Sequence, residues 1–433
     1  MAKRVKPSKT QTQMAKKMKP SKILPFDLIN DNILPKFPVK SLVRFTSVCK
    51  TWESLIKSPE FIATHFKLNN RPGPEVQYPL ILNGKSCYTL KNQIPINFDK
   101  LGSMSHCSLY DDYPAESCNG LILLKVQKDY GEIEIEYLLW NPTIKKSKTI
   151  ESFYPRDNFH DSSSSESGYI VRGLGFHESS NDYKVVKIEY DCDLYYSMPR
   201  DEKISTKVEI YSLKTESWRK VDSNPNGLIA FRGGVFLNGC VHWLATRKYC
   251  SDEYEGCTPE GSIESILFFD FEKECFGEIK LPQDFDYGDA RLVAFKEFQG
   301  SLAAVFFYCN DSKCFVWVMG EYGVTNSWNK KMTISLPKKC GSPLGFTKNG
   351  MLVCEEYNQE DRHWGLLMST STKRKTQSLK TRKKVPGLIF LDVEKFKESV
   401  NVIDYMESLA LLGKDSSDNE DSNEDEYYGC SAF

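Results

Sequence analysis

Four times along this chain a turn carrying glycine runs straight into an apolar stretch: CNGLILL from Cys118, LNGCVHWLA from Leu237, FQGSLAAVFF from Phe298 and KNGMLVCEE from Lys348. Glycine reaches the positive φ that a tight hairpin demands, so each marks the turn between two strands. Each is followed by a second strand pair, in residues 137–150, 265–282, 314–334 and 388–400. A further unit runs from GLGFHESSNDYKVVKI (173–188) to KVEIYSLKTESWRKV (207–221). Units of about four strands, spaced roughly 50 to 60 residues apart, match a kelch-like period. Such sheets set radially make a β-propeller, whose edges are short and protected. Five units are read directly. A sixth forms if PLILNGKSCYTL (79–90) pairs with NVIDYMESLALL (401–412), closing the ring with both ends of the chain. A β-sandwich or an irregular β domain is the alternative reading.

The start of the chain obeys a different period. In FPVKSLVRFTSVCKTWESLI (37–56), Leu42, Phe45, Val48 or Cys49, Trp52 and Leu55 or Ile56 recur at steps of three or four, the spacing of one helix face. Pro25 and Pro38 suit first-turn positions, and Pro59 stops the last turn. Three short helices are expected over 23–66. The fold class is therefore α+β and multidomain: a small helical unit, then a mainly-β domain over 67–412, read as a six-bladed kelch-like propeller.

A chain of 433 residues exceeds what one core holds, which fits that division. The net charge of -1 points to neither nucleic acid nor acidic substrates, and it conceals two opposed tails. Residues 1–22 hold eight Lys or Arg and no acid, while 415–426 hold seven acids and no base. Tails 1–22 and 413–433 are expected to be disordered, and basic 373–384 to be a loop. The longest strongly apolar run, LAAVFFYC (302–309), is too short to span a bilayer, and no apolar segment follows the basic start. A soluble, non-secreted protein of the cytoplasm or nucleus is expected, with no membrane partner. The 14 cysteines form no compact framework; those in strand runs (Cys240, Cys309, Cys314, Cys354) read as buried reduced thiols.

The six histidines (65, 106, 160, 177, 242, 363) form no HExxH and no zinc-finger pairing with cysteine. His242, within an apolar strand, reads as a hydrogen-bonded core residue. GLGF at 173–176 lacks the third glycine and the following helix of a dinucleotide fingerprint, and neither GxxxxGK[ST] nor GxSxG occurs. No cofactor, metal or catalytic residue is assigned, and the reading is of a binding scaffold.

LPFDLINDNILPKFPVKSLVRFTSVCKTWESLIKSPEFI (24–62) resembles the F-box as plants write it. CNGL, LWNPTIKK, GLGFHESSNDYKVVKI, VEIYSLKTESWRKV, FLNGCVHWLA, LFFDFE and DYMESLALL resemble, in order, the F-box-associated kelch-like domain of the same plant proteins, S-locus F-box proteins among them. The resemblance implies a subunit of an SCF-type ubiquitin ligase. Its helices would dock on a Skp-type adaptor, which bridges to cullin and RING subunits, while the β domain holds an unidentified protein substrate. Carried over by position, the adaptor-facing set is Leu24, Pro25, Leu28, Ile33, Leu34, Pro38, Leu42, Val43, Val48, Cys49, Trp52 and Leu55. A unit of some forty residues is too small to bury all these side chains itself. Between Leu28 and Ile33 stand four residues, INDN, where the plant pattern has three, and one added residue turns a helix by about 100°. Substrate loops are expected around 161–168, 249–262 and 284–289.

Overall fold

The structure is a computed structural model and describes residues 32–69, 80–83, 86–89, 95–97, 107–109, 115–128, 134–150, 169–190, 205–246, 265–282, 290–308, 313–335, 340–346, 352–358, 363–369, 388–396, 401–403 and 405–413. Both expected tails, apart from Gly413, lie outside these residues, as do the basic stretch 373–384 and Leu24, Pro25 and Leu28.

The helical unit is a 3-10 turn, Leu34–Lys36, then α1 (Val39–Phe45), α2 (Lys50–Ile56) and α3 (Pro59–Asn69). Pro38 occupies the N-cap of α1. Pro59 does not merely stop α2 but opens α3, where a missing N–H costs nothing. The Ser58 hydroxyl accepts the Phe61 N–H at 3.2 Å and so caps that helix. Leu34, Val39, Leu42, Ile56 and Phe61 meet in one core, together with Leu409 and Leu412 from the far end of the chain. His65 and Asn69 of α3 tie down what precedes α1. His65 donates Nε2–H to Phe37 O (2.9 Å), and Asn69 donates to Pro35 O (2.9 Å). Burial holds the His65 imidazole below its usual pKa.

The described strands form six antiparallel sheets. Five are four-stranded, and the sheet centred on Leu121–Lys128 carries both Cys107–Leu109 and Glu116–Cys118 on its inner edge. Inner strands touch in succession round the ring. Glu116–Cys118 lies on Tyr169–His177, Ile229–Leu237 on both Tyr169–His177 and Ala290–Phe298, and Cys340–Phe346 on Ala290–Phe298 and Asn401–Ile403. The ring closes where Leu80, Leu82 and Ile403 pack on Ile122, Leu124, Leu138 and Trp140. Leu80, Ile81 and Leu82 pair with Ile403, Val402 and Asn401, the expected union of the two ends. That pairing stops at Ile403, however, and residues 405–412 leave the sheet for the helical unit.

Asn119-Gly120, Asn238-Gly239 and Gln299-Gly300 all take φ between 47° and 83°, the doubly left-handed turn matched to strand twist. The two glycines of GLGF serve packing instead. A Cβ on Gly173 would strike the Trp243 indole, and one on Gly175 the Phe271 ring, both from the neighbouring sheet. His242 is fully buried as expected. Its Nδ1–H donates to Val235 O (3.0 Å), and Nε2 accepts the Tyr322 hydroxyl (2.7 Å). Burial pushes its pKa down to about 4, so it is neutral at physiological pH.

Candidate functional site

The helical unit has two faces, and they are unlike. The inner face is the Leu34–Val39–Leu42–Ile56–Phe61 core, sealed by Leu409 and Leu412, with Ile144 of a ring turn packed beside it. The outer face shows Pro38, Val48 and Cys49 to solvent, Val48 with 61% of its surface exposed. Val48 follows the last turn of α1, where the chain turns through Thr46–Ser47–Val48 into α2 and leaves its side chain outside the core. Phe37, Phe45 and Trp52, half-buried and packed against the inner core, form an aromatic row with ring centroids 5.2 Å and 5.6 Å apart. Lys36, Lys40, Arg44 and Lys50 of the same helical unit are exposed as well, so its surface combines apolar and basic side chains.

The structure divides the expected adaptor-facing set accordingly. Pro38, Val48 and Cys49 are exposed; Ile33, Val43, Trp52 and Leu55 are half-buried. Leu34 and Leu42 are 1% and 0% exposed, so their surface is consumed by the chain itself and none is left for a partner. Phe45, which joins Trp52 to Phe37, was missed in that set although its helical spacing marked it. At the start of the unit, Asn32 and Ile33 are in π-helical conformation. Of the four-residue INDN, only Asn32 is among the described residues.

A second concavity lies inside the ring: a cavity of about 120 Å³ lined by Glu116, Gly234, Lys296, Gly345, Val402 and Met406, among others. Glu116 is buried, and its carboxylate accepts N–H bonds from Leu174 (2.8 Å) and Gly234 (2.7 Å), linking the inner strands of three adjacent sheets. Burial pushes this carboxyl up to about 7, against the opposing pull of those two N–H groups and of Lys296 and Arg172. The nearby Cys118 thiol is pushed well up by burial and is correspondingly unreactive. A carboxyl whose two oxygens are both engaged by backbone is placed to hold strands. Among the described residues no three His, Cys, Asp or Glu side chains cluster to hold a metal. No described helix is long and apolar enough to cross a membrane.

Residues 24–64 match the family described as F-box domain, and residues 91–410 match the F-box associated beta propeller domain. The chain belongs to the F-box proteins that carry this propeller domain. Similar proteins include the F-box/kelch-repeat protein At3g23880 of Arabidopsis thaliana, 28% identical over 77% of this chain and 85% of that one. F-box protein CPR1 of the same plant is 27% identical over 79% of this chain and 81% of its own. A solved post-proline cleaving enzyme from Rickettsia typhi is matched at a TM-score of 0.37 and 12% identity, over 83% of this chain and 58% of that one, a likeness too slight to bear on function. The helical unit is thus the F-box, and the six sheets belong to the propeller domain.

Proposed function

We propose that this F-box protein is the substrate-recognition subunit of an SCF-type ubiquitin ligase and performs no bond chemistry itself. The outer face of the F-box, with Val48, Pro38 and Cys49 exposed and Trp52 half-buried beside them, docks on a Skp-type adaptor that leads to cullin and RING subunits. The observation that carries this reading is the two-faced helical unit: one face consumed by the chain's own core, the other apolar and open. A surface that combines apolar and basic side chains calls for an acidic partner carrying its own apolar pocket. The propeller then holds a protein substrate close to the charged ubiquitin-conjugating enzyme. That turns a bimolecular encounter into an effectively intramolecular one.

The face for substrate follows from strand direction. The F-box touches the ring at the tight turns, through Ile144 and through a hydrogen bond that the Asn181 side-chain amide donates to Pro59 O (3.1 Å). Turns 178–181 and 271–274 lie side by side, since Ser179 hydrogen-bonds Glu272 and Lys184 reaches Glu274. Strands Lys146–Ile150, Cys240–Thr246 and Cys275–Lys280 all run away from that side and lead into 151–168, 247–264 and 283–289. These three strands therefore end on the ring side opposite the F-box, which supports a substrate face there; the three expected substrate loops themselves lie outside the described residues. That leaves substrate and adaptor on separate sides.

The test is capture of a purified Skp-type adaptor by the full chain and by Trp52→Ala and Val48→Asp variants whose helical and sheet folds are both checked by circular dichroism, because Trp52 also packs on the F-box core. Weakened capture by both is expected; undiminished capture overturns the adaptor face. Leu42→Ala is unsuited to this purpose because it hollows the F-box core. A scaffold that uses the propeller alone is the second reading, and it rests on the four-residue INDN. It predicts that deleting Asn32 creates adaptor binding. On the receptor reading, unchanged affinity on deletion is expected.

A further inference from the structure

The last described stretch of the chain, residues 405–413, is neither sheet nor helix, yet residues 408–412 are buried throughout. One end of it is pinned to the ring. Asn141, itself wholly buried, donates its side-chain amide to Ser408 O (3.0 Å), Ser408 Oγ (3.1 Å) and Ala410 O (2.8 Å). Asn141 Oδ1 accepts the Tyr405 hydroxyl (2.9 Å), and the Tyr405 oxygen accepts the Thr143 N–H (3.1 Å). Ser408 packs so tightly on the turn at Gly120 that a Cβ there would collide with it. The other end is not ring at all: Leu409 and Leu412 complete the F-box core with Leu34, Leu42 and Ile56. Gly413 then lies against the Lys57 carbonyl, where a side chain would be crowded at 3.0 Å.

Other F-box-to-ring contacts among the described residues are few: Ile144 packs on the F-box core and the Asn181 side-chain amide donates to Pro59 O (3.1 Å). Lys67 pairs with Glu178 (2.9 Å) with both side chains exposed, and such a pair contributes little to a fixed orientation. The buried, multiply bonded connection is the C-terminal one.

We infer that residues 405–412 are the positioning element of this protein: a clamp that reads the ring through Asn141 and Tyr405 and holds the F-box through Leu409 and Leu412. The same stretch begins at the strand that closes the ring, Asn401–Ile403. Seating of the F-box is therefore conditional on a finished ring, and an incompletely closed propeller presents its F-box loosely. Within the receptor reading proposed above, on which this part rests, the clamp sets the distance between adaptor and bound substrate. These are positioning residues; they touch neither partner.

The experiment uses the full chain with fluorophores on non-canonical residues at Thr51 in the F-box and Lys214 in the ring, both exposed, so that the many cysteines are left alone. Single-molecule transfer gives the distance distribution between the two units. One narrow population is expected for the parent. Asn141→Ala/Tyr405→Phe loosens the ring end and Leu409→Ala/Leu412→Ala the F-box end, and each is expected to at least double the width of the distribution. Leu409→Met/Leu412→Met, which keeps the apolar volume, is expected to restore it. The ring-end variant should keep adaptor affinity within about threefold, because the leucines still seal the F-box. If both loosened variants keep the parent's narrow distribution, the clamp is wrong. If the widths change as expected while the parent itself captures no adaptor, the clamp stands and the receptor reading is what fails.

Discussion

The ring and the F-box spend their apolar side chains differently. In the ring, Trp140, Trp243, Phe269, Phe271 and Phe306 are wholly enclosed, because sheets set side by side cover both faces of each other. In the F-box, a core of five residues needs two leucines from the other end of the chain to close it, and Val48 is still left outside. Three short helices have too much surface for their volume to do otherwise. A closed ring is self-sufficient. The helical unit is complete only between two neighbours: the clamp on one side and, as proposed, an adaptor on the other.

The largest effect that sharpens this contrast is expected from Leu42→Ala. Emptying a fully buried leucine site costs about 2–5 kcal/mol, depending on how far the site collapses. The cost falls on a small unit with little core to spare, so the F-box should lose hydrogen-exchange protection while ring strands such as Ser301–Tyr308 keep theirs. Simultaneous loss of protection in both units would show that they are one cooperative body and would break the comparison.

Next in size is Glu116→Gln, which strikes the ring. A glutamine oxygen can accept from Leu174 or from Gly234 but not from both, and its amide N–H₂ must then face the other N–H. One buried donor left unmet costs about 1–3 kcal/mol. The pH dependence makes the test specific. Glu116 stands at about 7 in the fold against 4.5 ordinarily, so between those values the folded chain keeps a proton that the unfolded chain has lost. Its contribution therefore falls as pH rises through that window. His242, held at about 4 against 6.5, does the reverse, because on acidification the unfolded chain takes up a proton that the folded chain refuses. Each shift corresponds to roughly 3 kcal/mol over its range, so from pH 4.5 to 6.5 the two largely cancel. Thermal midpoints of Glu116→Gln should rise with pH across that interval more steeply than those of the parent. Parallel profiles would mean that Glu116 does not carry the proton.

How much of this was legible beforehand follows from the range of the interactions. The ring was readable because its signals are local: Asn-Gly turns and alternating strands lie within a few residues of each other. The F-box was readable from its helical period and its family resemblance. Glu116 was invisible, since its partners lie 58 and 118 residues along the chain and are backbone N–H groups that no side-chain pattern advertises. DYMESLALL was noticed, yet alternating apolar residues fit a sheet edge as well as a gap between helices. Only the presence of an unfinished F-box core decides for Leu409 and Leu412. For the same reason the spacing marked Leu42, Val48 and Trp52 alike, although Leu42 faces inward and Val48 outward: periodicity finds apolar faces without saying what covers them.

The smallest expected change in stability is the most telling about function. Val48 is 61% exposed and lies outside the F-box core, so Val48→Asp should shift the unfolding free energy by no more than about 0.5 kcal/mol. On the proposed docking face, however, an aspartate would have to be desolvated against the partner, and an unpaired buried charge is among the most expensive groups to place. If the partner is acidic, as the exposed Lys36, Lys40, Arg44 and Lys50 favour, repulsion adds to that cost. Adaptor affinity measured by calorimetry should fall by at least tenfold while the melting curve stays on that of the parent. Leu42→Ala should lower both together. A Val48→Asp protein that melts early would place Val48 in the core after all. One that melts normally and binds normally would leave the outer face of the F-box without its proposed occupant.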